Sequence, residues 1–212
     1  MITEQEIQLF ISPARFRIYL QQRNHDVHAA YQLYLTNIEL SEALYPVLSV
    51  LEISLRNAIH QKLSTHFNDT YWFKNKLPPE FQVAIKRAEE KIRLQQKQIT
   101  PDRIIAELSF DFWNRLFNRH YARQLWKPLR TIFPHLPKQQ RRRDTIDDAL
   151  FRIRTLRNRI YHYAPIFHNL YYLETVYKEI YKFLSWLHHN LPAVLYKTDR
   201  FQHVVLSAKK LC

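Results

Sequence analysis

Residues 44–63 read LYPVLSVLEISLRNAIHQKL. Leucine and isoleucine recur in this stretch every three or four positions, at Leu44, Leu48, Leu51, Leu55, Ile59 and Leu63. That spacing is typical of the buried face of an α-helix, because 3.6 residues make one turn. Ser41 stands shortly before the stretch and is a suitable N-terminal cap. The sequence therefore predicts a long helix that begins after Ser41.

Further helix signals occur on both sides of this stretch. Caps or first-turn prolines precede apolar segments at Ser12-Pro13, Asp26, Pro78-Pro79, Thr100-Pro101 and Asn169. We expect later helices over about 79–98, from 101 onward, 139–163 and 169–192, and a short one after 198. No linker separates these segments, so we predict an all-α fold in a single domain over residues 1–212.

The chain contains no glycine and only one cysteine, Cys212. Phosphate-binding loops, dinucleotide-binding motifs and the nucleophile turn of serine hydrolases all need glycine, so we exclude those classes. An internal disulfide and a thiolate zinc site are excluded as well. No apolar run approaches the roughly 20 residues that span a bilayer, and no export signal is visible. We expect a cytoplasmic protein that needs no cofactor and no metal ion and does not enter a membrane.

Charge is distributed unevenly along the chain. Residues 1–80 hold 7 lysines and arginines against 8 acidic residues, whereas residues 81–212 hold 25 against 11. Between Asp111 and Asp144 every charged side chain is basic, namely Arg115, Arg119, Arg123, Lys127, Arg130, Lys138, Arg141, Arg142 and Arg143. This pattern favours a polyanion partner, with nucleic acid ahead of membrane, over a basic surface without a partner. We expect a helix break near Asn118, because Arg115 and Arg119 would otherwise share a helix face with Leu108 and Phe112.

The candidate site lies in residues 156–162, which read LRNRIYH. On an ideal helix Arg157 stands at the edge of the apolar face, and a half-buried guanidinium there needs an acceptor. Asn158 and His162 point away from the core. Arg157 and His162 are about 140° apart on one helix, so they could converge through the length of arginine, a distorted helix end, or a second copy across a two-fold axis.

Histidine and arginine suit RNA cleavage by the 2′-hydroxyl group. Histidine exchanges protons near neutral pH, and arginine offers a fixed pair of donors to a phosphate. By spacing alone, a structural arginine followed by a surface histidine is the simpler interpretation. Glu52 interrupts the apolar stripe of residues 44–63 and needs a cation, either Arg56 or Arg157. Tyr161 and Tyr163 are expected to pack, and the pairs His25/His28 and His188/His189 are expected at the surface.

Several blocks of sequence resemble the Abi-like (abortive infection) bacterial proteins of the HEPN superfamily. They read YLTNIELSEALY, LEISLRNAI, AELSFDFW, LWKPLRTIFP and LRNRIYHYAPIF and cover nearly the whole chain in the same order. The resemblance implies a HEPN-like helical bundle with additional helices, a homodimer, and metal-independent endoribonuclease activity of the kind used as a toxin or in phage defence. Arg157 and His162 would be the catalytic pair, supported by Asn158, Glu52, Arg56 and Tyr163.

The chain departs from the family pattern at three positions. Tyr163 and Ala164 stand where the family usually has a second histidine and a glutamate, and Asp111 stands in place of a glycine. Because Arg157 and His162 are both present, the main hypothesis is an endoribonuclease. Its RNA would be held by Arg115, Arg119, Arg123, Lys127, Arg130, Arg141, Arg142 and Arg143. The alternative is a catalytically inactive module that binds nucleic acid or protein on the same scaffold. An antitoxin or trigger protein is a possible further partner.

Overall fold

The computed structural model describes residues 3–211, so Cys212 lies outside the described residues. Within that range the chain forms eleven α-helices and no strand, which confirms the all-α prediction. The helices are α1 (Glu4–Ile11), α2 (Pro13–Gln22), α3 (Val27–Phe67), α4 (Trp72–Asn75), α5 (Gln82–Leu94), α6 (Pro101–Glu107), α7 (Phe110–Arg115), α8 (Ala122–Leu129), α9 (Arg143–Tyr161), α10 (Leu170–Leu187) and α11 (Phe201–Leu211). Short 3₁₀ turns stand at Pro79–Phe81, Arg119–Tyr121, Arg130–Ile132, Lys138–Gln140 and Leu191–Leu195.

Helix α3 is 41 residues long and contacts α2, α4, α7, α8, α10 and α11. Its predicted apolar stripe is buried along its whole length. The predicted start at Ser41 is wrong, because the helix begins fourteen residues earlier, where the Asp26 side chain accepts a hydrogen bond from the backbone N–H of Ala29. Ser41 instead donates to the carbonyl of Asn37 at 2.8 Å inside the helix. Buried Leu33 and Leu40 extend the stripe toward the N-terminus and carry the helix past Ser41.

The core is one cluster that includes residues from Ile7 to Ala208. Its largest fully buried side chains are aromatic, among them Trp72, Trp113, Tyr19, Phe16 and Phe73. Such rings bury a large apolar area each, so they contribute much of the hydrophobic free energy of folding. No helix in residues 3–211 is long and apolar enough to cross a membrane.

The segment after Thr100 forms two helices and a turn rather than one helix. Thr100 caps α6 as predicted, because its side chain accepts a hydrogen bond from the backbone N–H of Arg103. Helix α6 ends at Glu107, α7 ends at Arg115, and Asn118 caps the 3₁₀ turn that leads into α8. The predicted break near Asn118 is confirmed. It places Arg115 on a different element from Arg119 and Arg123.

Within residues 3–211, the chain turns without glycine at six residues of positive φ, namely Ser12, Asn24, His25, Asn68, Gln96 and Tyr163. Asparagine tolerates this conformation well, whereas tyrosine does so less readily. Tyr163, at φ 56°, ends α9, which spans Arg143–Tyr161 and is shorter than the predicted 139–163. The turn is closed by a 2.8 Å hydrogen bond from the N–H of Ala164 to the carbonyl of Arg159. It fixes the direction in which the chain leaves His162.

Candidate functional site

Arg157 is held by contacts on both sides of its guanidinium group. Its Nε lies 3.4 Å from Oε2 of Glu52, across from α9 to α3. The side chains of Arg157 and Glu52 are 23% and 19% exposed, so this ion pair is largely shielded from water. The guanidinium carbon also lies 4.0 Å from the centre of the Tyr161 ring. The predicted contact between Glu52 and Arg157 is confirmed.

Arg56 does not form the alternative ion pair with Glu52, whose ion-pair partner within residues 3–211 is Arg157. Its guanidinium donates to the carbonyl of Ala106 at 3.4 Å and to the side chain of Asn57 at 3.3 Å. Arg56 therefore joins α3 to the end of α6, and its predicted role as a partner of Glu52 is wrong. Geometry explains the difference, because Arg157 approaches Glu52 from a neighbouring helix, whereas Arg56 lies on the same helix and is drawn toward α6.

His162 and Asn158 face solvent, as predicted. His162 is the C-terminal cap of α9, with non-helical backbone angles of φ −96° and ψ 10°. Its imidazole makes no hydrogen bond to Arg157 or to any other residue in the range 3–211. The Asn158 side chain accepts a hydrogen bond from Nη1 of Arg157 at 3.4 Å. A single copy thus presents a restrained arginine and an unrestrained histidine on different sides of one helix end.

The two tyrosines beside His162 differ in their surroundings. Burial raises the pKa of Tyr161, and the nearby Arg157 charge only partly opposes this rise. Tyr161 therefore remains protonated at neutral pH and acts as a stacking surface. Tyr163 is 73% exposed, so the prediction that it packs in the interior is wrong. The guanidinium carbon of Arg15 lies 5.9 Å from the centre of the Tyr163 ring.

A groove of about 620 Å³ opens beside this helix end. It is lined by α2, the first half of α3, the end of α9 and the segment before α11, and its walls include Arg15, Tyr34, Asn37, Tyr45, Tyr163 and Arg200. The Tyr45 ring lies 6.3 Å from that of Tyr161, so the groove adjoins the stack that holds Arg157. Sequence reasoning missed the groove, because its walls come from four distant segments. The only signal was an excess of tyrosine around residues 31–45.

Four of the eight predicted RNA-binding residues are engaged within the protein. Arg115 lies over the Phe81 ring at 4.8 Å, and Arg141 donates to the carbonyl of Leu136 at 2.9 Å. Arg142 pairs with Asp144 at 2.7 Å. Arg143 is half-buried and binds both Asp147 at 2.8 Å and the carbonyl of Phe117 at 3.0 Å. These internal contacts leave less free positive charge at both ends of the predicted RNA-binding surface. Arg143 in particular has a structural role.

The other four predicted residues form an exposed basic face, defined by Arg119, Arg123, Lys127 and Arg130. They recur at three- and four-residue spacing along α8 and its two flanking turns, opposite the buried Leu125 and Leu129. Their charged groups make no ion pair or hydrogen bond to any other residue in the range 3–211. This basic face is the part of the predicted surface that retains uncompensated charge.

Asp111 pairs with Arg154 and so links α7 to α9. The histidines of the two predicted surface pairs, at 25, 28, 188 and 189, are all exposed. The described residues contain no cluster of three or more histidine, cysteine, aspartate or glutamate side chains that could hold a metal ion. No protein-family model, curated protein or solved structure matches the chain.

The Arg157–Glu52 contact should be measurable as a coupling free energy. We expect the combined Arg157→Gln and Glu52→Gln changes to cost about 1 kcal/mol less than the sum of the single changes, because either single change leaves a largely shielded charge unpaired. The measurement is urea unfolding of the wild type, both single variants and the double variant.

The matched control is the same cycle with Arg56→Gln in place of Arg157→Gln. We expect no coupling there, because the Arg56 guanidinium contacts Ala106 and Asn57 instead of Glu52. Equal coupling in the two cycles would contradict the assignment of Arg157 as the partner of Glu52.

Proposed function

We propose that this chain is a metal-independent endoribonuclease of the Abi-like, HEPN type, acting in abortive infection. One observation carries the proposal: the Arg157 guanidinium is fixed by Glu52 and Tyr161 at the same helix end that exposes His162. Catalytic arginines benefit from such restraint, because a donor already in position needs no reorganisation when charge develops on the substrate.

The proposed reaction uses the RNA strand's own 2′-hydroxyl as nucleophile. His162 takes the proton from that hydroxyl, and the 2′ oxygen attacks the adjacent phosphorus. The bond from phosphorus to the 5′ oxygen breaks and leaves a 2′,3′-cyclic phosphate, and the departing 5′ oxygen takes a proton from water to become the 5′-hydroxyl. Arg157 donates hydrogen bonds to the phosphate oxygens as their negative charge increases. These two roles are sufficient for cleavage without a metal ion.

The separation of Arg157 and His162 within one copy supports a site shared between two copies. Exposed apolar side chains flank the pair on α3 and α9, namely Ile53, Phe151 and Tyr161. Apolar side chains grouped at the surface are typical of protein–protein contacts. We propose a two-fold homodimer in which the arginine of one copy faces the histidine of the other.

Cleavage of purified cellular RNA in the presence of EDTA tests the activity. We expect the wild type to produce fragments that end in 2′,3′-cyclic phosphate and 5′-hydroxyl. Arg157→Lys and His162→Ala should each slow cleavage by roughly a hundredfold or more, because one removes the paired donors and the other the proton acceptor. The exposed His189→Ala is the matched control and should cleave like the wild type. Equal rates for His162→Ala and wild type, with both folded by circular dichroism, would refute the site.

Mixing the two inactive variants tests the shared site. In a mixed dimer of Arg157→Ala and His162→Ala copies, one of the two sites has both groups and the other has neither. After random exchange of copies, we expect about one quarter of wild-type activity per site. No recovery, despite subunit exchange shown by light scattering or labelled copies, would place both groups of a site in one copy.

A second candidate function is binding without catalysis, and the exposed basic face favours it. The face offers phosphate contacts whether or not the helix end cleaves RNA, and Tyr163 and Ala164 occupy positions where the family usually has a histidine and a glutamate. Binding of nucleic acid with no cleavage by the wild type would support this alternative.

The salt dependence of RNA binding tests the basic face in either case. We expect Arg123→Gln to reduce the slope of log affinity against log salt by about 0.7, the value for one phosphate contact to a single strand. Arg142→Gln is the control and should leave the slope nearly unchanged, because Asp144 already neutralises Arg142. The measurement is fluorescence anisotropy of a labelled single-stranded RNA at several salt concentrations. Equal slopes for Arg123→Gln and wild type would remove Arg123 from the interface.

A further inference from the structure

We infer that the groove lined by Tyr45, Tyr163 and Asn37 binds one unpaired nucleobase of the RNA strand, next to the phosphate that is cleaved. This inference rests on the proposed function and specifies which part of the substrate the protein recognises. It follows from four properties of the groove, namely its size, its aromatic walls, one unpaired amide donor and its position beside Arg157.

The size and walls of the groove suit a flat aromatic ligand. Its volume of about 620 Å³ lies within the range of small-molecule sites. Tyr34, Tyr45 and Tyr163 contribute rings to the wall, and Pro46 and Ile160 contribute apolar surface. Single-stranded RNA is generally recognised by splaying bases out and stacking them on such aromatic side chains.

Asn37 supplies a donor whose orientation is fixed by the fold. It is only 4% exposed, and its Oδ1 accepts a 2.6 Å hydrogen bond from the backbone N–H of Ile166. That bond identifies the other end of the amide as Nδ2, which donates no hydrogen bond to any residue in the range 3–211. Nδ2 is not sealed inside the protein but stays accessible from the groove that Asn37 lines, so it can donate to a ligand that carries an acceptor. The ring nitrogens and carbonyl groups of a nucleobase are such acceptors.

Charge at the rim favours a ligand that carries a phosphate. The Arg15 guanidinium makes no ion pair within the described residues and lies near the Tyr163 ring. Arg200 also reaches the rim, where its charge is shared with Glu42 at 2.6 Å. A backbone phosphate would therefore contact Arg15 first, while its base enters the groove.

The position of the groove relates this base to the cleavage site. Tyr45 forms part of the groove wall, and its ring is next to Tyr161, over which the Arg157 guanidinium lies. Tyr163 lines the groove one residue after His162. Arg157 is thus connected to the groove through Tyr161 and Tyr45, and His162 is connected to it through the adjacent Tyr163. A base held there would fix the neighbouring phosphate relative to the Arg157 of the same copy, which the histidine of the other copy faces in the proposed dimer.

Binding of short 2′-O-methyl RNA strands tests the inference, because the methyl group blocks attack by the 2′ oxygen and cleavage cannot interfere. Fluorescence anisotropy would give the affinity of a labelled pentanucleotide and of five versions in which one base is replaced by an abasic spacer. We expect the spacer at one or two positions to weaken wild-type binding about tenfold, as for loss of one stacked base, with little effect elsewhere.

Variants of the groove should lose this position dependence. Tyr45→Ala and Tyr163→Ala change exposed side chains, and each should bind the intact strand about tenfold more weakly, with little further loss from any spacer. Asn37→Asp retains the acceptor for the Ile166 N–H but removes the amide donor. It should also lower the affinity for the intact strand. Tyr171→Ala changes an equally exposed tyrosine that does not line the groove, and it should behave like the wild type.

The outcomes separate this inference from the proposed function. Salt-sensitive binding with equal spacer effects at all five positions would overturn the inference and leave RNA binding intact. Absence of wild-type binding to any RNA, including long strands, would overturn both. If Tyr45→Ala instead changes the oligomeric state measured by light scattering, with spacer effects as in the wild type, the groove holds a second copy of the chain and the inference is wrong.

Discussion

Burial of the apolar stripe along α3 organises the rest of the structure. This helix of 41 residues runs through the whole fold, and six other helices, α2, α4, α7, α8, α10 and α11, contact it because no single neighbour is long enough to cover its buried face. The packing of this buried face also restrains the residues that lie beside the stripe on the same helix. Asn37, Tyr45 and Glu52 all belong to this helix, so the groove wall and the anchor of Arg157 share one rigid element.

The Arg157–Glu52 pair follows from that arrangement. Glu52 occurs in the apolar stretch, and a carboxylate that is largely shielded from water needs a cation nearby. Helix α9 supplies this cation from the edge of its own buried face. Replacing such a pair by well-packed apolar residues is often neutral or stabilising, so the ion pair is not required to hold α3 and α9 together. Its distinctive effect is to hold one guanidinium group in place at the surface, which is the requirement for binding a phosphate.

The sequence predicted those parts of the structure that depend on local patterns. The predicted caps at Asp26, Thr100 and Asn169 are confirmed, because each side chain accepts a hydrogen bond from the backbone N–H three residues later. The prediction that Ser41 caps a helix is wrong, because a serine hydroxyl can also donate to a backbone carbonyl in the preceding turn of a helix. Arg157 was placed correctly at the edge of a buried face, since helical geometry decides it. The groove was not predictable, because segments up to about 160 positions apart have to meet before Asn37 and Arg200 share one wall.

The absence of glycine affects the candidate site directly. Most helices that end in a left-handed turn place glycine there, which leaves no side chain at that point. Here α9 ends at Tyr163 in that conformation, and its ring remains exposed at the helix end. The turn is closed by backbone hydrogen bonds from Tyr163 and Ala164, so the chain direction after His162 is defined even though its imidazole is unrestrained. A left-handed tyrosine costs roughly 1 kcal/mol or more relative to glycine, and the Tyr163 ring is 73% exposed. An exposed aromatic ring at such a position suits the proposed stacking ligand, next to the histidine whose proposed role requires the same open surface.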